Sequence, residues 1–254
     1  MKIIINPFYY PQTKNLIKII QNFEQNGRAY GDGKRNIIKI FESNELKLNV
    51  KSFKTPIFFN KIIYGFFRAS KAQRSYMFAN KLIKKSVNTP TPIAYFEEHR
   101  FLGLYKSYYI SEHLEFDFMF RDLIENSEKF DFENILRQFS KFCFDLHENG
   151  IEFLDHSPGN TLIKKQNFGR YDFYLVDLNR MKFHQNIDFE NRMNNLKRLL
   201  TEEYMVKIVS NEYSKFYDKT EMEIFEKLWS LTTVFQQKYY KKIELKKKFF
   251  FWKK

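Results

Sequence analysis

The chain has 254 residues, of which 43% are hydrophobic and 19% aromatic, and it carries a formal net charge of +13. That length and apolar content support one large folded domain or two lobes and exclude a disordered polyelectrolyte. No stretch reaches the roughly 18 uncharged apolar residues of a membrane span, the single Cys143 excludes an intramolecular disulfide, and the excess of Lys and Arg directs attention to anionic partners such as phosphates, acidic lipids or nucleic acid.

The opening M-K-I-I-I-N-P-F-Y-Y is interrupted by Asn6 and Pro7 and lacks a small-residue cleavage site, so no secretory signal is expected. Leu16, Ile19, Ile20 and Phe23 recur at helical spacing and predict an amphipathic helix over 12–26. Gly27, Gly31 and Gly33 then fall between that helix and strand-like runs at 37–41 and 46–53. A glycine turn between strands either presents backbone N–H groups to a phosphate or is only a hairpin turn, and the spacing matches no strict phosphate-loop motif. Leu46, Leu48 and Val50 share one face of the later strand and Lys51 lies on the other. Lys51 reads either as a solvated strand lysine or as the strand lysine that grips nucleotide phosphates in kinase folds.

From residue 51 to residue 92 there are nine basic residues and no Asp or Glu. Within that stretch, 70–85 reads as a helix packing through Ala72, Met77, Ala79 and Leu82, and T-P-T-P at 89–92 ends it. The run is a solvated face or an anion-facing one. Strands are expected at 93–96 and 107–110, S-E-H-L-E at 111–115 as a crossing between lobes, and F-D-F-M-F-R-D-L-I as helix. Asp131 is the expected N-cap of a helix whose stripe is Phe132, Ile135, Leu136, Phe139, Cys143 and Leu146, with Gly150 as its stop. Cys143 therefore reads as a core residue, and the expected compartment is the reducing cytoplasm. A further helix is predicted at 188–200 with Arg192 and Arg198 on it, then helices to about 241 packing through Tyr204, Ile208, Phe216, Ile224, Leu228 and Phe235.

The chemistry concentrates between Gly150 and Arg180. Asp155-His-Ser-Pro-Gly-Asn160 places a carboxylate and a carboxamide five residues apart around a Pro-Gly turn, and Asp177 follows after two short apolar runs. Phosphoryl transfer needs an oriented hydroxyl, a metal that neutralises phosphate charge and a group that takes the hydroxyl proton. A loop Asp and Asn followed by a hairpin ending in Asp is how kinase-fold phosphotransferases supply them.

V-K-S-F-K, S-K-A-Q-R-S-Y, T-P-T-P-I-A-Y, Y-Y-I-S-E-H-L and L-D-H-S-P-G-N…V-D-L-N-R occur in an order and spacing that resembles the lipopolysaccharide kinase (Kdo kinase) family of the protein-kinase-like superfamily, over roughly residues 20–240. The resemblance implies an α+β, protein-kinase-like two-lobed fold, with a β-rich N-lobe at 1–114 and a helical C-lobe at 115–254. It implies ATP and Mg2+ as cofactors. By the same resemblance Asp155 is the catalytic base, Asn160 and Asp177 hold magnesium, Lys51 holds the ATP phosphates beneath the Gly31–Gly33 turn, and Glu112 to Leu114 form the hinge beside adenine. Two positions depart from the family pattern. Phe153 stands where a His precedes the catalytic Asp, and Met77 stands where a Glu pairs with the strand lysine.

About ten residues between Asp177 and the next helix leave little room for a peptide-docking segment, and a basic chain disfavours a polycationic acceptor. An anionic acceptor fits, and the resemblance points to a lipid A-linked sugar, Kdo of Kdo-lipid A. The tail from Tyr239 to Lys254 carries seven Lys against Glu244. It reads as a frayed basic terminus or as a contact with an anionic membrane, with Phe249–Trp252 entering the headgroups. The expected location is the cytoplasm, peripheral at the inner membrane. An alternative reading is a catalytically inactive module that binds nucleotide or anionic lipid, motivated by Met77. Specific nucleic-acid binding is not expected, because no recognition motif accompanies the charge.

Overall fold

A computed structural model of the chain describes residues 1–31, 36–43, 46–54, 69–101 and 103–249. The expectations placed on Gly33, on Lys61 and Arg68 of the basic run, and on 250–252 of the tail lie outside those residues. The chain divides into two units, Met1–Glu115 with Tyr174–Arg180, and Phe116–Phe173 with Met181–Lys254.

The first unit is built on an antiparallel sheet of six strands: β1 (Lys2–Ile5), β2 (Arg28–Tyr30), β3 (Asn36–Ser43), β4 (Leu46–Phe53), β5 (Pro92–Arg100) and β6 (Gly103–Glu112), in the order β1-β5-β6-β4-β3-β2. Alternation in β4 decides which side chains go where. Leu48 and Val50 are fully buried on one face, where α1 (Thr13–Gln21) lays Leu16, Ile19 and Ile20 against them and against Phe41, Phe96 and Ile110. Helix α1 is shorter than the predicted 12–26, but its apolar stripe is the expected one.

Lys51 and Phe53 project from the other face, where Phe53 packs with Ala72, Tyr95, Tyr76 and Tyr109. Ala72 and Tyr76 belong to α2 (Lys71–Lys84), which starts where the Ser70 hydroxyl accepts the Gln73 N–H at 3.0 Å. Lys81 and Lys84 in its last turn face the negative end of the helix dipole. Helix α2 buries Ala72, Ser75, Ala79 and Leu82, while Met77 is 42% exposed on the opposite side. Met77 is thus not the packing residue that periodicity proposed.

The second unit is mainly helical. Its core gathers Phe120 and Leu123 of α3 (Phe120–Glu125), the predicted stripe of α4 (Phe132–Glu148), Met193 and Leu196 of α5 (Phe189–Leu196), and residues of α6 (Glu203–Ser214) and α7 (Glu221–Phe249). Strand β9 (Thr161–Lys165) pairs with β7 (Phe118–Met119) and with β10 (Tyr171–Leu175), and β8 (Ile151–Phe153) pairs with β11 (Met181–Phe183). Three expectations are corrected here. In F-D-F-M-F-R-D-L-I the helix starts only at Phe120, and Phe118 and Met119 form β7 because they pair with Ile163 and Leu162. Asp131 stands at the N-cap of α4, but its carboxylate takes the Asn134 side chain at 2.8 Å and caps no backbone N–H. In α6 the buried stripe is Met205, Val206, Val209 and Tyr213; Tyr204 is 48% exposed instead of packed, while Ile208 is half-buried against the core as expected.

Candidate active site

The candidate residues fall into two groups, one in each unit. The first is organised by Lys51 and Asp177. The Lys51 ammonium lies 2.7 Å from Asp177 Oδ1, and its side chain is 13% exposed. The Asn179 side-chain amide donates to the same oxygen at 2.7 Å. Asp177 has φ 59°, a left-handed conformation that a non-glycine residue adopts only where its surroundings hold it. Part of that hold comes from T-P-T-P. The Thr89 hydroxyl donates to Leu175 O at 2.8 Å, and Leu175 N donates to Asn88 O at 3.0 Å, which locks the strand end that delivers Asp177. Sequence reasoning gave Thr89 only a helix-ending role. Both of these donors meet Oδ1 of the Asp177 carboxylate.

The hinge residues are more constrained than the sequence showed. Tyr9, from the turn after β1, donates its hydroxyl to Glu112 Oε1 at 2.5 Å. Burial and that carboxylate push the Tyr9 hydroxyl pKa well up. The backbone N–H groups of Glu112 and His113 go to Thr91 O at 2.9 Å and Lys47 O at 2.8 Å. Gly31 has φ 83°, and a Cβ added there would meet nothing within 4 Å, so a left-handed backbone and not crowding is what glycine serves at this turn.

The second group lies on the loop after β8. Gly150 ends α4 with φ 68°, and a Cβ there would collide with the His184 carbonyl, whose residue closes the β8–β11 pair through His184 N to Gly150 O at 2.8 Å. Asp155 follows at the tip. The Asn160 side-chain amide donates to Asp155 O at 2.8 Å, so its carbonyl oxygen is directed away from that bond. Arg198, just after α5, donates from Nη1 to Asp155 Oδ1 at 3.2 Å and to Leu154 O at 3.3 Å. No role was read for Arg198 in the sequence; only the fold brings it onto Asp155. A Cβ on Gly159 would collide with the Arg121 guanidinium, so the Pro-Gly turn is also where a second arginine closes on the loop.

The loop is anchored where the family histidine is missing. Phe153 O accepts the Asn195 side-chain amide at 2.8 Å, Asn195 Oδ1 accepts from His147 Nε2 at 3.2 Å, and His147 Nδ1 accepts the Tyr213 hydroxyl at 2.8 Å. Burial lowers the His147 pKa to about 4, so the imidazole is neutral and can play both parts. His156, inside the motif but without an assigned role in the sequence reading, stacks on Phe153 at 5.2 Å, meets Thr161 Oγ1 at 3.2 Å, and has its pKa lowered to about 3 by burial. It is a core residue of the loop base. Burial likewise pushes the Cys143 thiol well up, in keeping with its packing role.

The donors suit a hard cation. Asn160 and Asp177 offer oxygen only, and among the described residues no group of three or more His, Cys, Asp or Glu is arranged to hold a metal. Side-chain oxygens of this kind are what magnesium takes, with phosphates and water completing its shell.

Set beside known proteins, residues 23–219 match the lipopolysaccharide kinase (Kdo/WaaP) family. The chain belongs to that family. Membership makes it a kinase-family protein of lipopolysaccharide biosynthesis and implies ATP use. Among solved structures, WaaP in complex with acyl carrier protein superposes with TM-score 0.64 at 14% identity, over 95% of this chain and 99% of that one, which shows a shared α+β kinase-like fold. WbdD gives TM-score 0.46 at 13% identity over 80% of this chain and 45% of that one, and a WbdD co-crystal with a kinase inhibitor gives 0.44 at 16%. No curated protein sequence matches the chain.

Proposed function

We propose that this lipopolysaccharide kinase-family chain transfers the γ-phosphate of ATP to a hydroxyl of a lipopolysaccharide core sugar, Kdo of Kdo-lipid A. The observation that carries the reading is the Lys51–Asp177 pair at 2.7 Å, seated at a strained strand end in a member of this family. Lys51 meets the ATP phosphates, with Gly31 in the turn above them, and the Glu112 carbonyl and Leu114 N–H receive adenine. Asp155 accepts the proton of the attacking hydroxyl as its oxygen bonds to the γ-phosphorus and the bond to the ADP oxygen breaks. Asn160 and Asp177 would hold magnesium, which supplies neutralisation of phosphate charge. Arg198 keeps the Asp155 carboxylate aimed by its bond to Oδ1.

The test is transfer of label from ATP to Kdo-lipid A with magnesium present. Asp155→Ala should lower kcat by about 10²–10⁴, the usual share of a general base. Undiminished transfer by that variant would overturn the mechanism. The inactive-module alternative is favoured by one observation, the absence of Asp or Glu along α2. The carboxylate on Lys51 comes from Asp177 instead. We further propose that the chain works at the cytoplasmic membrane face, supported by the exposed Tyr239, Tyr240 and Leu245 among the lysines of α7.

A further inference from the structure

Arg198 has more donors than its described partners use. A guanidinium presents five N–H groups in a flat fork. Both bonds of Arg198, to Asp155 Oδ1 and Leu154 O, come from Nη1, which leaves the edge formed by Nε and Nη2 without a bond among the described residues. The plane is steadied from one side, because the guanidinium carbon sits 5.6 Å from the centre of the Phe235 ring. Lys238 lies one turn beyond Phe235 on α7, and Lys197 immediately precedes Arg198. Among the described residues neither lysine forms an ion pair, and the Lys197 ammonium bonds only to the neutral Asn194 side chain at 2.5 Å. Partial burial, Lys238 and Arg198 together lower the Lys197 pKa, as mutually repelling cations with too few counter-charges must.

We propose that Arg198, Lys197 and Lys238 form an anion subsite beside Asp155 that receives a carboxylate or phosphate borne by the acceptor sugar. The idle Arg198 edge matches the two oxygens of such a group, and the two lysines, near enough to Arg198 or to each other to be felt as repelling charges, meet no carboxylate among the described residues. An acceptor held there by its anion brings a neighbouring hydroxyl to the carboxylate that Arg198 also touches. The subsite thus deepens the kinase reading and rests on it for the step that follows binding.

Binding of free Kdo (a carboxylate), glucosamine 1-phosphate (a phosphate) and the uncharged methyl ester of Kdo to the intact chain is to be measured by calorimetry, alongside phosphate transfer to Kdo-lipid A and to its carboxyl-esterified and dephosphorylated forms. At least one anion should bind, the ester should not, and the anion that binds identifies the source. Lys197→Gln combined with Lys238→Gln, at positions that do not bond to Asp155, should weaken that binding and raise the acceptor KM by about 10- to 100-fold, the value of a charged hydrogen bond or two, with the ATP KM unchanged. Arg198→Lys, which keeps the charge and loses the fork, should do the same and also lower kcat. Equal binding of Kdo and its ester, or wild-type anion affinity in the double variant, overturns the subsite even if transfer proceeds. Anion binding that needs these cations, with no transfer by the wild-type chain, leaves the subsite standing and overturns the kinase reading.

Discussion

The charge of Lys51 is answered from an unexpected direction. Its carboxylate partner is 126 positions away in sequence, on Asp177, and the exposed Met77 points away from the sheet face that carries Lys51. Met77→Glu should therefore change stability and kcat/KM by no more than about 0.5 kcal/mol, as for other surface exchanges. If Lys51 meets the ATP phosphates as proposed, Lys51→Met should raise the ATP KM or lower kcat by about 10- to 100-fold. A large rescue or loss by Met77→Glu in parallel steady-state assays would show that α2 carries the pairing after all. A second residue-scale consequence concerns acid. His147 and His156 are neutral in the fold because burial takes their pKa values to about 4 and about 3, against 6.5 in a solvated chain. Above that solvated value both states are neutral and nothing is gained or lost. As pH falls below it the unfolded chain binds protons that the folded chain refuses, so stability declines down to the folded values. His156→Phe, which keeps the stack on Phe153, should remove about one proton, or about 1.4 kcal/mol per pH unit, from that dependence. Urea midpoints between pH 6.5 and pH 4 read the difference, and parallel pH profiles for the two proteins would contradict it.

At the scale of elements, the parts legible in sequence are those whose signal is local. The α4 stripe, the two-faced β4 and the Ser70 start of α2 follow from periodicity and capping within a few residues. What was not legible depends on partners far along the chain. Phe118–Met119 becomes strand because β9 lies beside it, the α6 stripe centres on Met205 and Val209 and leaves Tyr204 exposed, and Arg198 matters only once it lies on Asp155. Asp155, Asn160, Asp177 and Lys51 could be nominated by motif order, but the devices that hold them could not. The Asn195–His147–Tyr213 chain beneath Phe153 and the Thr89 bond to Leu175 join residues tens of positions apart. Gly150 is the joint where a local signal and a distant one coincide, since it needs φ 68° and also touches the His184 carbonyl. Gly150→Ala should cost about 2 kcal/mol or more, from the left-handed backbone and the collision together. It should also lower kcat, because the β8–β11 pair carries the Asp155 loop. Chemical denaturation and turnover measured on one preparation test both, and an unchanged midpoint would show that the joint relaxes without cost.

At the scale of the whole molecule the charge is unevenly placed. Residues 239–254 contribute +6 of the total +13. Up to Phe249 that segment is not a frayed end but the continuation of α7, a 29-residue helix. Such a helix is about 43 Å long at 1.5 Å per residue. Its early turns bury Ile224 and Leu228, and its later ones expose Tyr239, Tyr240 and Leu245 between lysines. Among the described residues no helix is long and apolar enough to cross a membrane. A helix that leaves the core carrying aromatic side chains among cations suits the surface of an acidic bilayer, where each lysine contributes about 1 kcal/mol and the rings enter the headgroups. Cosedimentation with vesicles follows from this in three parts. The full chain should bind vesicles containing anionic lipid and ignore neutral ones. Raising salt should release it, since the screening length falls from about 10 Å at 0.1 M to about 3 Å at 1 M. Ending the chain before Tyr239 should abolish binding while turnover on a soluble Kdo acceptor persists, because the core-forming turns of α7 and both groups of candidate site residues remain. Equal binding to neutral and anionic vesicles would assign the tail to something other than a charged surface, and loss of soluble-acceptor turnover on truncation would make it part of the catalytic unit instead.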